Sequence, residues 1–421
     1  MPEQVASNGV PQYSTHPCAL GKYALLMKEP GSGHMVVNVE TGETVIDNIP
    51  GSSGHCRLWA DQDQEIYVLV PDGSQVHFLH IESGQNVRSV NVGITAQFGG
   101  GEGCFDEQFR YTVLQATNTS SYRVWDLWED RLGPTRTLDG GPANGILTSK
   151  SGDYAVASHA EWTAYELDKD ELTLSPLGKI AGGTGHGLPL RFPDGRDCFM
   201  SPTSNWDNPG FNDKYQCSLP IEDAPLSQSQ MAAAQMFEFS WDTSQHWGGW
   251  GDVAVLGTYR SNKAVYLVST GVRNGSFPAD AELIANLPNG DGGYNGEPHA
   301  SVGIEWDGDK YVATRVIWGQ YDGSNYSAHM EQIEVVDPPD PPDPAPEPEP
   351  DPEEPMSYYD DRLAHLQQQE ADGKISNLDP TPPVPPSGGT PGTIVYAEAD
   401  GDAVTEHFTP EGEDASDIDI N

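Results

Sequence analysis

Positive charge is scarce in this chain of 421 residues: 21 Lys and Arg stand against 64 Asp and Glu, a formal net charge of −43. A phosphate backbone or an anionic membrane needs clustered basic groups, so nucleic acid and acidic lipid are excluded as partners. Cysteine is scarce too. Five Cys, odd in number and without a CxxC, build neither a disulfide framework nor a zinc site, and they read as small buried hydrophobes. No run of about 18 apolar residues is present to span a bilayer. Met1-Pro-Glu-Gln is followed by no basic and then apolar leader, so synthesis in a cytoplasm without a signal peptide is expected. Helical periodicity is nearly absent before residue 350.

What is present is a repeat. A Gly or His, a small residue or Cys, an apolar pair, a polar turn and an apolar strand recur with anchors at 16, 55, 103, 144, 186, 246 and 299. Two copies are His16-Pro-Cys18-Ala-Leu before Tyr23-Ala-Leu-Leu, and His55-Cys56-Arg-Leu-Trp59 before Ile66-Tyr-Val-Leu-Val70. A third strand follows in most units, as in Met35-Val-Val-Asn-Val39, Tyr122-Arg-Val-Trp-Asp-Leu127 and Ala264-Val-Tyr-Leu-Val268, often ending in a turn such as Glu40-Thr-Gly42. The anchors lie 39 to 60 residues apart, which brackets a four-stranded propeller blade plus insertions. Residues 3–336 therefore resemble the seven-bladed β-propellers of the broad YVTN, TolB and WD40-like kind, and the fold class expected is all-β. The seventh unit lacks a fourth strand, so Gln4 to Val10 are expected to supply it and close the ring.

The domain plan follows from composition. Residues 1–336 form the propeller, 337–356 a Pro, Asp and Glu-rich spacer favouring polyproline II, 357–374 a short amphipathic helix, and 375–421 an acidic, largely disordered tail. After residue 336 there are 22 acidic and 2 basic residues, leaving 42 and 19, or −23, for the head. Only nine basic residues are Lys, and such acidic, Lys-poor surfaces suit concentrated salt, which points to a halophilic or marine source.

Candidate sites fall in three groups. The resemblance implies that the first strand of each blade lines a channel, which brings His16, His55, His186, His246 and His299 near one mouth. There they tie loops together, bind a metal or act as bases. Within the long insertion Thr203 to Ala234, Asn205, Trp206, Asp207 and Asn212 combine an aromatic platform with amides and a carboxylate, as sugar recognition requires; Trp247 and Trp250 form a second such patch or pack between blades. On the tail helix, Tyr358, Tyr359, Leu363 and Leu366 are the apolar contacts expected to dock a partner. Seven-bladed propellers include polysaccharide lyases, and that resemblance would cast His186 as base, Tyr259 as proton donor and Arg260 as the carboxylate's counter-ion. No cofactor is expected. The acidic turns Asp61-Gln-Asp63-Gln-Glu65 and Asn289-Gly-Asp291 are weak candidates for structural Ca2+. No GxSxG elbow is present to activate a serine.

The leading expectation is a non-enzymatic binding protein that resembles the propeller heads of virion appendages. It would recognise a host-surface glycan or glycoprotein and hold other virion proteins through its C-terminal tail. Alternatives are a propeller lyase or hydrolase and a cytoplasmic interaction scaffold.

Overall fold

The computed structural model describes residues 3–7, 9–11, 17–28, 33–49, 56–98, 104–117, 119–159, 161–182, 187–203, 215–238, 245–258, 263–272, 275, 279–287, 298–333, 358–381, 392–398 and 403–408. It divides into two compact units, Met1–Val335 and Val336–Asn421.

The first unit is a β-propeller of antiparallel meanders. The sheet of Arg57–Ala60, Ile66–Asp72, Gln75–His80 and Asn86–Asn91 shows the design, since its first strand is buried throughout and its last is mostly exposed. Sequence follows that gradient: Leu58, Trp59, Val68, Leu69 and Phe78 fill the inner strands, whereas Asn86-Val-Arg-Ser-Val-Asn91 faces water. Polar turns fix the register; Asp61, for example, accepts the amides of Asp63 and Glu65 at 3.0 and 2.9 Å. That carboxylate, a candidate calcium ligand by sequence, is thus engaged by its own turn.

Among the described residues, five sheets of four or five strands stand as separate blades, in place of the seven expected. Besides the one above, they begin at Ala96–Phe98, Ile146–Thr148, Leu188–Arg191 and Gln245–Trp250. The strands expected in the first and seventh units share one nine-stranded sheet, because Ser301–Trp306 pairs in parallel with Ala19–Leu20 through Gly303↔Ala19 and Ile304↔Leu20. Small residues permit that approach. A Cβ on Gly303 would lie 2.4 Å from Arg315 Cγ and 3.2 Å from the Ala19 Cβ, so only glycine lets the strands bond. Flanking amides extend the seam, Cys18 N donating to Val302 O at 3.1 Å and Gly21 N to Ile304 O at 2.8 Å.

The N-terminus enters the same sheet twice. Glu3–Ser7 lies antiparallel to Tyr326–Gln332, with Glu3 opposite Met330, and Gly9–Pro11 pairs with Leu26 to Lys28. Val5 and Val10 are buried there.

The second unit holds the helix Tyr358–Ala371 and a three-stranded antiparallel sheet of Ile375–Thr381, Gly392–Glu398 and Ala403–Phe408. These three strands lie within residues 375–421, expected from composition to be a largely disordered tail. Leu366, expected on a docking surface, is fully buried, while Leu363 is half-buried. The helix is tied to the first strand by Glu370 Oε1, which accepts the Leu378 amide at 3.2 Å. Tyr358 and Tyr359 open the helix, and their side chains lie outside the described residues.

Candidate functional site

Residues towards the ends of two first strands and before or at the starts of two second strands meet across the sheets as an aromatic plug. Trp59 Nε1 donates to Phe109 O at 2.6 Å and Trp250 Nε1 donates to Tyr311 O at 2.9 Å. The Phe109 ring stacks on Trp250 with centroids 5.5 Å apart, and Tyr311 meets its edge at 5.0 Å. Phe109 holds φ at +58°, a conformation rare for a bulky residue, and both its ring and its carbonyl are used in this cluster. Trp250 can enter because Gly249 precedes it: a Cβ there would stand 2.5 Å from Val253 O and 2.9 Å from Leu190 Cδ2. The rim is charged, Arg191 reaching Glu107 through Nε and an Nη at 3.2 and 3.1 Å.

Two titratable groups are buried in this plug. Lys150 places its Nζ 3.9 Å from the centroid of the Trp250 ring, and burial brings its pKa down to about 8. Asp106 accepts the amides of Arg110 and Tyr111 at 2.7 and 2.9 Å, yet burial outweighs those bonds and its pKa is raised to about 7. Both groups are fixed by packing.

Arg57 opens the strand that carries Trp59, two residues before it. Its side chain is 2 % exposed; one Nη donates to Cys56 O at 2.9 Å and the other to Phe98 O, on the next sheet, at 3.3 Å. Burial pushes the neighbouring Cys56 thiol up to about 12 against the pull of this cation. Burial first, and then the same cation, lowers His34 to about 4. The Cys104 thiol also bonds the Arg57 side chain, and among the described residues no carboxylate pairs with Arg57.

The structure distributes the expected site residues unevenly. Trp250 belongs to the plug and, at 2 % exposure with one face on Phe109, is core rather than a sugar platform. Trp247 lies on the strand Gln245–Trp250 and its side chain lies outside the described residues. His186, Asn205, Trp206, Asp207, Asn212, Tyr259 and Arg260 also fall outside them, as do His16, His55 and the acidic turn at 289–291. His299 is buried at the start of the Ser301–Trp306 strand with φ at +42°. Arg57, Lys150 and Asp106 were not singled out by sequence. Arg57 and Lys150 carried a signal, a lone charge flanked by apolar or small residues, as in Cys56-Arg57-Leu-Trp59 and Ser149-Lys150-Ser151-Gly152; Asp106, beside Glu107, carried none.

A separate surface cavity of about 190 Å3 lies between Tyr23, Glu65, Ile66, His80 and Glu82. Its polar groups bond one another, His80 to Glu65 and Tyr23 to Glu82, each at 3.2 Å.

No family model matches the chain, and no curated protein matches it in sequence. Among solved structures, it is similar to a streptogramin B lyase (TM-score 0.47, 8 % identity, covering 78 % of this chain and 97 % of that one). It is also similar to the Cps50 (Swd1) β-propeller domain of Myceliophteria thermophila (0.44, 14 %, 78 % and 99 %) and to hydrazine synthase of Kuenenia stuttgartiensis (0.45, 12 %, 79 % and 96 %). The propeller assignment itself rests on the strand order and register described above.

Proposed function

We propose that this chain is a non-enzymatic binding propeller that takes its ligand at the strand-start end of the axis. The observation that carries the reading is the plug: Trp59, Phe109, Trp250 and Tyr311 fill the other end with mutually packed rings. The charged groups there serve packing, since Lys150 is spent on an indole face and Glu107 on Arg191.

Counting the nine-stranded sheet as two meanders joined by the Gly303 and Ala19 seam makes the head a closed ring of seven blades; pairing of Glu3–Ser7 with Tyr326–Gln332 supports this count. The ligand is a host-surface glycan or glycoprotein met by Asn205, Trp206, Asp207 and Asn212, and the head is carried on a virion through its C-terminal unit. The aromatic and amide-rich insertion and the Pro-rich spacer support that placement.

The test compares the two ends. Trp206→Ala should abolish whole-cell or glycan-array binding with unchanged melting. Trp306→Ala, at the plugged end where Trp306 is 39 % exposed, should leave binding intact. Loss in the second variant and retention in the first would overturn the reading.

A further inference from the structure

We propose that the cavity between the Lys22-Tyr23 and Glu65-Ile66 segments of neighbouring sheets binds a primary alkylammonium, the group that free polyamines and lysine side chains share. This site goes beyond the reading above and does not depend on it.

The cavity holds about 190 Å3 and opens to solvent. At about 30 Å3 for each molecule of liquid water it has room for roughly six, or for an ammonium on a short alkyl chain. Backbone geometry sets its walls before a ligand arrives, which lowers the ordering cost of binding. Gly21, at φ +55°, lets the two sheets close up, since a Cβ there would stand 3.3 Å from Ile66 Cδ1. Gln64 holds φ at +64° in a turn bonded twice, Asp61 N to Glu65 O at 3.1 Å and Gln64 N to Asp61 O at 3.0 Å. The Glu65 amide is anchored as well, donating to the Asp61 carboxylate at 2.9 Å. Ile66 and the largely buried Tyr23 offer apolar contact to methylenes.

The bonding of the lining residues selects the ligand. Glu65 Oε2 accepts from His80 Nε2 at 3.2 Å, while His80 Nδ1 meets Ser83 Oγ at 3.1 Å. Glu82 Oε1 accepts the Tyr23 hydroxyl at 3.2 Å; Lys22, which also bonds that hydroxyl, stands 3.7 Å from the same oxygen. Among the described residues, neither Glu65 Oε1 nor Glu82 Oε2 has a hydrogen-bond partner. One ammonium thus faces two carboxylates, and Glu40, Asp61 and Asp63 add to the negative potential around Lys22 and Tyr67. The net charge of −23 on the head draws cations in the same direction. A bare metal ion does not fit, because among the described residues no three His, Cys, Asp or Glu side chains converge to hold one. Nor does a guanidinium, whose fork needs both oxygens of one carboxylate, whereas three separate N–H groups of an ammonium can reach single oxygens of two. Both carboxylates are more than half exposed, so the attraction weakens with salt.

The experiment titrates the full chain with butylammonium chloride, against tetramethylammonium chloride at matched ionic strength, and follows the δ1 methyl resonance of Ile66. A saturable shift is expected with butylammonium and none with tetramethylammonium, which carries the charge but no N–H. Glu65→Gln and Glu82→Gln should each weaken binding about two- to fivefold, as loss of an exposed ion pair does. Lys22→Gln should tighten it by a similar factor, because a competing ammonium leaves the cavity; a cluster that only joins two sheets gives no such gain. Absence of a saturable shift in wild type, an equal shift with tetramethylammonium, or unchanged affinity in Lys22→Gln would each overturn the proposal. If either Glu variant does not fold, the wild-type probes and Lys22→Gln decide. Spermidine and Nα-acetyllysine amide then separate the sources: tighter binding of the first assigns a free polyamine, and of the second a lysine side chain.

Discussion

At the turn end of the inner strands a buried lysine rests on an indole and a buried carboxyl accepts backbone amides, while at the strand-start end a buried arginine is held by two carbonyls. The difference lies in what each group can do when water is removed. Lys150 and Asp106 can approach neutrality, and their pKa values, about 8 and about 7, have moved in the directions that allow it. An arginine has no such escape, since a guanidinium stays charged over the range in which proteins are folded. One end has therefore been made tolerant of losing its charges, and the other keeps a permanent one.

The comparison breaks most visibly at Trp250. Trp250→Ala should cost about 3–5 kcal/mol in chemical denaturation, because it opens a cavity between Phe109 and Lys150 and orphans the Tyr311 carbonyl. A loss under about 1 kcal/mol would show that the plug is not part of the core.

Lys150→Met should stabilise the head at pH 7 by about 1–3 kcal/mol, since an apolar side chain of similar length replaces a cation with no hydrogen-bonded counter-ion. The pH course is the sharper readout. Below pH 8 Lys150 is charged in both states and its burial penalty is complete; between 8 and 10.5 only the unfolded chain holds the proton, so wild-type stability rises with pH. The advantage of the variant should shrink over that interval. Glu107, Cys104, Asp106 and Asp197 face this lysine and support its charge, so a flat difference would show that they cancel the effect of burial.

For Asp106 the sign is opposite. Below pH 3.8 the carboxyl is protonated in both states, whereas between 3.8 and 7 only the folded state holds the proton and stability falls as pH rises. Asp106→Asn keeps an oxygen for the Arg110 and Tyr111 amides, so its gain over wild type should grow from nil near pH 4 to its full value above pH 7. Lys150 and Lys169 oppose the shift, and melting of the double variant Lys150→Met, Asp106→Asn would measure that coupling.

The smallest effect concerns neither end but the surface that surrounds both. Molar KCl should raise the melting temperature of the head, because 42 carboxylates repel one another more than 19 basic residues can offset. A steady fall with salt would remove the halophilic reading.

Much of the fold was legible because a meander repeats its own pattern. Strands such as Ile66–Asp72 and Tyr111–Ala116 carry apolar and β-branched residues between polar turns, and the N-terminal segment announced an unpaired edge. The joining of two meanders was not legible. It depends on Gly303 facing Ala19 across 284 residues of chain, and small residues carry no periodic signal. The small C-terminal sheet was hidden for a related reason: Gly392–Glu398 and Ala403–Phe408 are too acidic and short to look self-sufficient, and their order comes from pairing beside a helix that buries Leu366. At the site, His246-Trp247-Gly-Gly-Trp250 left an aromatic surface and packing between blades both open, because an indole serves either. Gly249 lets Trp250 turn inward at the end of a strand, an approach that carries no periodic signal.

The pairing of Glu3–Ser7 with Tyr326–Gln332 has a mechanical consequence. Tyr326–Gln332 is the last strand of the head before the spacer, and it is bonded along both edges, to Tyr311–Tyr321 on one side and to the N-terminal strand on the other. Tension drawn through residue 333 along that strand loads two rows of hydrogen bonds at once, as in a double lap joint. A terminal strand bonded on one edge only would peel bond by bond. The chain has placed its own beginning where a pull on its far end would otherwise start the unravelling.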